Sequence, residues 1–188
     1  GTADKILTGG ITGEIMLLGQ GISIGLMKEK FLKDRSLDAF IAPAKEYLRD
    51  YPGKIVVPQD LAYEQDGERC EVLIEELPID KLFMDIGSKT IEAYKDIICT
   101  AGTLFVNGPV GAYENPAFQE GTKEIWKAIA NATGYSVIGG GDTVSAASRF
   151  INLKDISYVC TAGGAMVRFL SGKSLPLVEA MRKTSASN

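Results

Sequence analysis

Four short apolar runs in this chain each end in a glycine-bearing turn, and each turn leads into a stretch with helical patterning. The runs are Ile6-Leu7, Thr103–Val106, Ser136–Ile138 and Tyr158–Thr161. The turns are Gly9-Gly10, Asn107-Gly108-Pro109-Val110-Gly111, Gly139–Thr143 and Thr161-Ala162-Gly163-Gly164. Repeated strand, tight turn and helix is the pattern of a parallel sheet with crossover helices. In such a sheet all four turns lie at the carboxyl ends of the strands, the edge where ligands bind. Any one of them alone reads as an ordinary strand-to-helix connection. Their shared position and glycine content point to a nucleotide or phosphate site.

The third turn carries the most chemistry. Gly139-Gly140-Gly141-Asp142-Thr143 follows the apolar pair Val137-Ile138 and precedes a helical stretch from Val144 to Phe150. Glycines let backbone N–H groups approach an anion, and the helix N-terminus adds partial positive charge. Asp142 and Thr143 add a carboxylate and a hydroxyl suited to Mg²⁺ and to phosphate oxygen. The same residues also read as a tight turn with Asp142 as a helix N-cap, which needs no ligand.

Bulk properties narrow the choice. The 188 residues suffice for one α/β domain with a substantial core. The net charge of −4, with basic residues dispersed along the chain, argues against a nucleic-acid or anionic-membrane surface. No apolar run reaches the ~20 residues of a membrane helix. Cys70, Cys99 and Cys160 are odd in number and widely spaced, which fits a reducing cytoplasm better than a disulfide framework. Histidine is absent, so imidazole bases and His-ligated metals are excluded. Phosphoryl transfer survives that cut, because positioning and electrostatics carry most of it.

Between the turns, the pattern predicts a helix through Ile15, Met16 and Leu18, broken by Gly19 and Gly21, then a loop through Ile24-Gly25-Leu26-Met27. Ser36 is placed to cap a helix from Leu37 to about Asp50, with Leu37, Phe40, Ile41, Ala44 and Leu48 on its apolar face, stopped by Pro52-Gly53. Ile55-Val56-Val57 reads as a parallel strand buried on both faces. Asp66-Gly67 reads as a hairpin turn between Leu61–Tyr63 and Cys70–Ile74. Helices are expected over 88–98 (Ile91, Tyr94 and Ile98 inward), 116–132 (Phe118, Ile125, Trp126 and Ile129 inward), 143–150, 165–170 and 177–183, with fraying from Ser185. The expected fold is a single Rossmann-like, doubly wound α/β domain over 1–188, with a mainly parallel six-stranded sheet and a small antiparallel excursion near 61–79.

The run VNGPVGAYENPAFQEGTKEI, then IGGGDTVSAA, then CTAGGAMVRFLSGKSLPLVEAM resembles the carboxyl-terminal, nucleotide-binding half of phosphoglycerate kinase. ADKILTGG resembles the family's strand and glycine turn before the adenine pocket, and MDIG its segment opposite that pocket. The resemblance runs nearly end to end, with the motifs in family order and spacing. It implies a cytoplasmic, glycolytic kinase that moves a phosphoryl group reversibly between 1,3-bisphosphoglycerate and ADP with Mg²⁺.

The resemblance also implies roles. Gly9 and Gly10 let the backbone lie against adenine, with Met84, Pro109 and Leu26 or Met27 as apolar walls. Gly111 belongs to the same loop as Pro109. Glu114 accepts hydrogen bonds from the ribose, although it also reads as a first-turn acid of the helix near Pro116. Gly140 and Gly141 offer backbone around the phosphates, Asp142 holds Mg²⁺ directly or through water, Thr143 contacts phosphate oxygen, and Asn107 reaches toward the phosphates. Gly163 and Gly164 point N–H groups at the migrating phosphoryl group. Lys123 matches the family's Gly-Thr-Lys run, but its place on an exposed helical turn gives it a surface or capping role.

Ala162 stands where a third glycine is common in the family and requires a negative φ. Met166 and Arg168 depart from its more frequent Ser and acid. The family's amino-terminal half, with the arginines that bind phosphoglycerate, and its Gly-Gly-Ala-Lys stretch are not in this sequence. A start at Gly1, with a core strand at once, fits a piece of a longer chain. Such a piece is expected to bind ADP or ATP without turnover. Two rival readings are a nicotinamide-dependent oxidoreductase, disfavoured because Thr8-Gly9-Gly10-Ile11-Thr12-Gly13 lacks G-x-G-x-x-G, and a non-catalytic nucleotide-binding regulatory module.

Overall fold

Five parallel strands form two ladders, and glycine turns follow four of them. The computed structural model describes residues 3–185. β1 (Ile6–Leu7) pairs with β2 (Ile55–Val56), and β6 (Thr103–Val106) pairs with β7 (Tyr135–Gly139), which pairs with β8 (Tyr158–Cys160). Between the ladders' sequences lies an antiparallel sheet of β3 (Asp60–Gln65), β4 (Glu68–Leu73) and β5 (Phe83–Ile86), in the order β4-β3-β5. The mainly parallel α/β architecture with its antiparallel excursion is as expected. The single six-stranded sheet is not: five parallel strands form one pair and one triplet, and no ladder joins β1 to β6. Both groups nevertheless rest on one core, because Leu7, Val56, Leu104, Val106 and Val159 pack against the same buried cluster.

Two helices supply most of that core. α4 (Ser88–Thr100) buries Ile91, Tyr94 and Ile98, and α5 (Glu120–Asn131) buries Ile125, Trp126 and Ile129, in line with their 3–4 spacing. Tyr94 anchors α4 to the first ladder by donating its hydroxyl to Thr8 O at 2.6 Å and Val56 O at 3.1 Å. Met166 packs over Gly139 at one end of the triplet's far face, and the rest of that face is largely open among the described residues. Phe105, Tyr135 and Tyr158 are 44, 55 and 54 % exposed. Strand alternation puts them opposite Leu104, Ser136 and Val159, which face the core side.

The hairpin turn forms at Asp66 (φ 53°) and Gly67 (φ 82°), both left-handed as a two-residue turn requires. The excursion is larger than its hairpin pattern suggests, because Phe83–Ile86 adds a third strand. α1 (Gly10–Gly19) and α3 (Ile41–Asp50) meet where a side chain on Gly19 would crowd Ala44 Cβ at 3.1 Å. The segment expected to be a loop around Met27 opens α2 (Leu26–Asp34). Ser36 ends that helix and does not cap the next one. At φ 57° it donates its N–H to Lys33 O, while Leu37 N donates to Leu32 O, the two bonds of a Schellman ending. A 3₁₀ turn at Asp38–Phe40 then delays α3, and Phe40 is exposed where the pattern has it inward. β2 is half-buried, not covered on both faces. α6 (Gly141–Phe150), α7 (Gly163–Leu170) and α8 (Pro176–Ser185) follow β7 and β8. Ser185, where fraying is expected to begin, still belongs to α8, and the rest of that expectation falls on 186–188, outside the described residues.

Two buried charges shape the outcome. No side chain of α4's own flank caps it; Asp60 of β3 does so from a distance. Its carboxylate accepts from Lys89 N and Thr90 N, each at 2.8 Å, and from the Thr90 hydroxyl. Asp60 is 2 % exposed, so removing it strands buried donors. Asp60→Ala is expected to lower unfolding free energy by about 2–3 kcal/mol in urea titrations, with helix content retained in the folded baseline.

Glu14 of α1 is the second. Burial pushes its carboxyl up to about 7, against the pull of the Lys28 ammonium 2.9 Å away. The folded state then binds more protons than the unfolded chain between pH 4.5 and about 7. Raising the pH through that window weakens the wild type relative to Glu14→Gln. Parallel denaturation series at pH 4.5 and 7.5 should show a gap that moves in the variant's favour with pH.

Candidate functional site

Three of the four glycine turns converge. Residues 107–109, 140–143, Thr161, Gly163 and Gly164, with Val167, line a cleft of about 650 Å³ at the carboxyl ends of β6, β7 and β8. Main-chain contact holds the turns together. A Cβ on Gly163 would lie 2.6 Å from Gly140 Cα and 3.1 Å from Gly140 N. Gly140 itself has φ 103°, and its N–H donates to Cys160 O at 2.9 Å. No residue with a side chain fits the first position without displacing backbone, and none adopts the second cheaply.

The loop after β6 is tied to the same point. Thr143, 1 % exposed, accepts from Gly108 N at 2.8 Å through its hydroxyl. Asn107 Oδ1 lies 3.5 Å from where a Gly140 side chain would begin. Gly139 is also filled from outside, because Met166 Sδ and Cε occupy the space a Cβ would need. Met166 therefore packs beneath the turn. Arg168 sits in the last turn of α7, donating to Ser174 O, away from the cleft. Ala162 has φ −86°, the negative value an alanine requires there.

Two helices start at this cleft, α6 at Gly141 and α7 at Gly163. The N-cap of α6 is Gly140, so Asp142 is not the cap that the sequence also allowed; it stands in the first turn, exposed, with no hydrogen bond or ion pair among the described residues. The backbone N–H groups of Gly141 and Asp142, and that of Gly164 in α7, have no acceptor among the described residues. Helix N-termini with free donors attract anions, here beside one carboxylate. Asp142 is the only charged residue lining the cleft among those described, and no lysine or arginine does so.

The fourth turn abuts this cleft without lining it. A Cβ on Gly9 would meet Val110 Cβ at 2.8 Å, and one on Gly10 would meet Val110 O at 3.5 Å. Ala112 N donates to Met84 O at 2.7 Å, and a Gly111 side chain would strike the same carbonyl at 2.7 Å. Gly9, Gly10, Met84, Pro109 and Gly111 are thus neighbours along one stretch that reaches the cleft at Pro109. Leu26 and Met27 are exposed at the start of α2. Met27 N donates to Asp80 Oδ1 at 2.6 Å, which seats that helix start against the segment entering β5.

The sequence profile of the family described as "Phosphoglycerate kinase" matches residues 1–173. The chain belongs to the phosphoglycerate kinase family. The phosphoglycerate kinase of Methanopyrus kandleri is 40 % identical over 177 residues, covering 94 % of this chain and 44 % of that protein. That of Natronomonas pharaonis is 41 % identical over 184 residues, covering 97 % and 46 %. In three dimensions the crystal structure of phosphoglycerate kinase from Pyrococcus horikoshii superposes with a TM-score of 0.88 at 33 % identity, over 96 % of this chain and 45 % of that one. The chain therefore spans about half the length of the phosphoglycerate kinases it matches.

Other residues singled out in the sequence lie apart from the cleft. Glu114 is exposed and outside the lining residues. It is not a first-turn acid either. Asn115 caps the 3₁₀ turn at Pro116–Phe118 through a 3.1 Å bond from Ala117 N, and Glu120 occupies the first turn of α5. Lys123 is a surface residue, 3.6 Å from Glu120. Gly108 and Thr161, named in the turns but given no role of their own, and Val167, not singled out by the sequence, also line the cleft. Gly108 and Thr161 could be found from their place directly after a strand. Val167 carries no such signal, since only the packing of α7 brings it there.

The Gly140–Gly163 contact yields a sharp test. Gly163→Ala is expected to cost about 1–3 kcal/mol by overpacking main chain. Gly164→Ala, where no atom lies within 4 Å of the new Cβ, should cost much less. Thermal melts of the two variants side by side measure the difference.

Proposed function

We propose that this chain is the nucleotide-binding domain of a two-domain phosphoglycerate kinase, and that the cleft between α6 and α7 takes the phosphates of Mg-ADP or Mg-ATP. The observation that carries this reading is the convergence of three glycine turns on one cleft, with free N–H donors from two helix N-termini and a single unpaired carboxylate. In the whole protein the reaction is reversible phosphoryl transfer from 1,3-bisphosphoglycerate to Mg-ADP, giving 3-phosphoglycerate and Mg-ATP, the glycolytic step. The family membership and the shared fold support it.

Roles follow from placement. Gly9, Gly10, Met84, Pro109 and Gly111 form the base end, and Glu114 lies in the loop beyond them for the ribose. Gly140, Gly141 and Asn107 flank the phosphates. Thr143 acts mainly through Gly108, fixing the loop while its helix turn faces the anion. Gly164 aims its N–H at the transferring phosphoryl group, where a preorganised donor contributes on the order of 3 kcal/mol; the Gly163 N–H, expected to do the same, donates instead to Thr161 O at 3.1 Å, so Gly163 serves by its close approach to Gly140.

Mg²⁺ fits the donor set in one way. Among the described residues no cluster of three or more acidic, cysteine or histidine groups could cage an ion. One carboxylate beside a phosphate site suits an ion that arrives on the nucleotide and keeps several waters, with Asp142 as its protein contact. When bound, the ion neutralises charge on the phosphate oxygens. No cation among the described residues does so in the cleft, which argues for weak affinity in the isolated chain.

The remaining half of the protein is proposed to be the phosphoglycerate-binding domain. The partly exposed aromatic face over Phe105, Tyr135 and Tyr158 supports a further segment of chain, because parallel sheets are ordinarily covered on both faces. Catalysis then needs the two halves to close and shed water.

Calorimetric titration of the 188-residue chain should give a dissociation constant of roughly 10 μM to 1 mM for Mg-ADP. A flat trace at millimolar ligand would overturn the nucleotide reading. Coupled assays should show no turnover; activity above background in pure material would refute the need for the second half. In Asp142→Ala the dependence of ADP binding on Mg²⁺ should vanish, while stability falls by no more than about 1 kcal/mol, as expected for a first-turn acid. Retained Mg²⁺ coupling would remove Asp142 from the metal.

A further inference from the structure

One buried ion pair lies outside the cleft and has no part in the scheme above. Glu14 and Lys28 are 3 and 5 % exposed, and Lys28 Nζ lies 2.9 Å from Glu14 Oε1. The same ammonium donates to Phe83 O at 2.9 Å. The second carboxylate oxygen, Glu14 Oε2, is buried with no hydrogen-bond partner among the described residues. The pair sits beside a cluster that is otherwise apolar, with Ile15, Leu17, Ile24, Leu32 and Phe83 in its buried set.

As a source of stability this arrangement is poor. Desolvating two charges costs several kcal/mol, and a half-satisfied carboxylate recovers less of it. What such a pair supplies well is geometry, since a point cation with two acceptors fixes the elements that carry them. Here three elements are fixed: α1 through Glu14, α2 through Lys28 and β5 through the Phe83 carbonyl.

Each of those elements carries residues of the base end close to the tied atom. Gly10 lies one helical turn before Glu14. Leu26 and Met27 directly precede Lys28, and Met84 directly follows Phe83. The Met27–Asp80 bond holds the same helix start from the other side.

We infer that the buried Glu14–Lys28 pair is a positioning device that sets the width of the base slot by locking α1, α2 and β5 together at one ammonium. This rests on the nucleotide reading above. Neither side chain touches the nucleotide in this picture; they act through the walls.

The test separates base from phosphate recognition. Mg-ADP and Mg-tripolyphosphate, a probe without a base, are titrated against wild type, Glu14→Gln and the uncharged double variant Glu14→Leu/Lys28→Met, with melts confirming that each is folded. In wild type, ADP should bind the more tightly. In both variants, ADP affinity should fall by about tenfold while tripolyphosphate affinity stays within about twofold, so the ratio collapses. An unchanged ratio in a folded variant overturns the positioning role and leaves the nucleotide site standing. Wild type without preference for ADP overturns the base slot itself, and this inference with it. If neither variant folds, the pair serves the fold as a whole and the positioning role is likewise overturned.

Discussion

Gly140 and Gly163 meet main chain to main chain, and that contact sets the position of both helices that open the cleft. Gly163 approaches close enough that a Cβ would sit 2.6 Å from Gly140 Cα. Two helix N-termini are thereby brought side by side with the N–H groups of Gly141, Asp142 and Gly164 unspent among the described residues. Each end alone carries about half a positive charge. Placed together at the mouth of one cleft they make a site whose attraction for an anion needs no lysine. The Thr143 hydroxyl, bonded to Gly108 N, adds the third turn to the same node.

The rest of the structure keeps that node in place. The turns hang from β6, β7 and β8, whose inner residues rest on α4 and α5. α4 in turn is started by a carboxylate from another sheet, Asp60. Asp85 does comparable work nearby. Burial pushes its carboxyl up to about 6, while it accepts from Gly121 N and Arg69 and so joins the start of α5 to the antiparallel sheet. Buried acids here replace local capping signals, and they link elements far apart in sequence. That arrangement supports the site from behind and leaves the cleft open in front.

Much of this was legible in the residues. The strands and turns after Ile6, Thr103, Ser136 and Tyr158, the hairpin at Asp66-Gly67 and the inward faces of α4 and α5 follow from glycine placement and periodicity. So does the gathering of Asn107, Gly140, Asp142 and Gly163 at one sheet edge, since parallel topology leaves few other places for them. Ser36 was misleading because a serine before a helical stretch has two uses. Its positive φ, which chose the Schellman ending over the cap, depends on Leu37 packing back toward Leu32. Phe83–Ile86 gave no alternation strong enough to announce a strand; β3 had to be there to pair with it.

The sequence by itself determined the local vocabulary: which segments extend, where they must turn without side chains, and which groups stand at the turns. Those are decided by sterics and hydrogen bonding within a few residues. Tertiary structure alone decided the division of the parallel strands into a pair and a triplet, the placing of Glu114 outside the cleft, the remote cap from Asp60 and the pairing of Glu14 with Lys28. Each of these depends on distances between residues far apart in the chain, and no short-range rule encodes a distance that only packing creates.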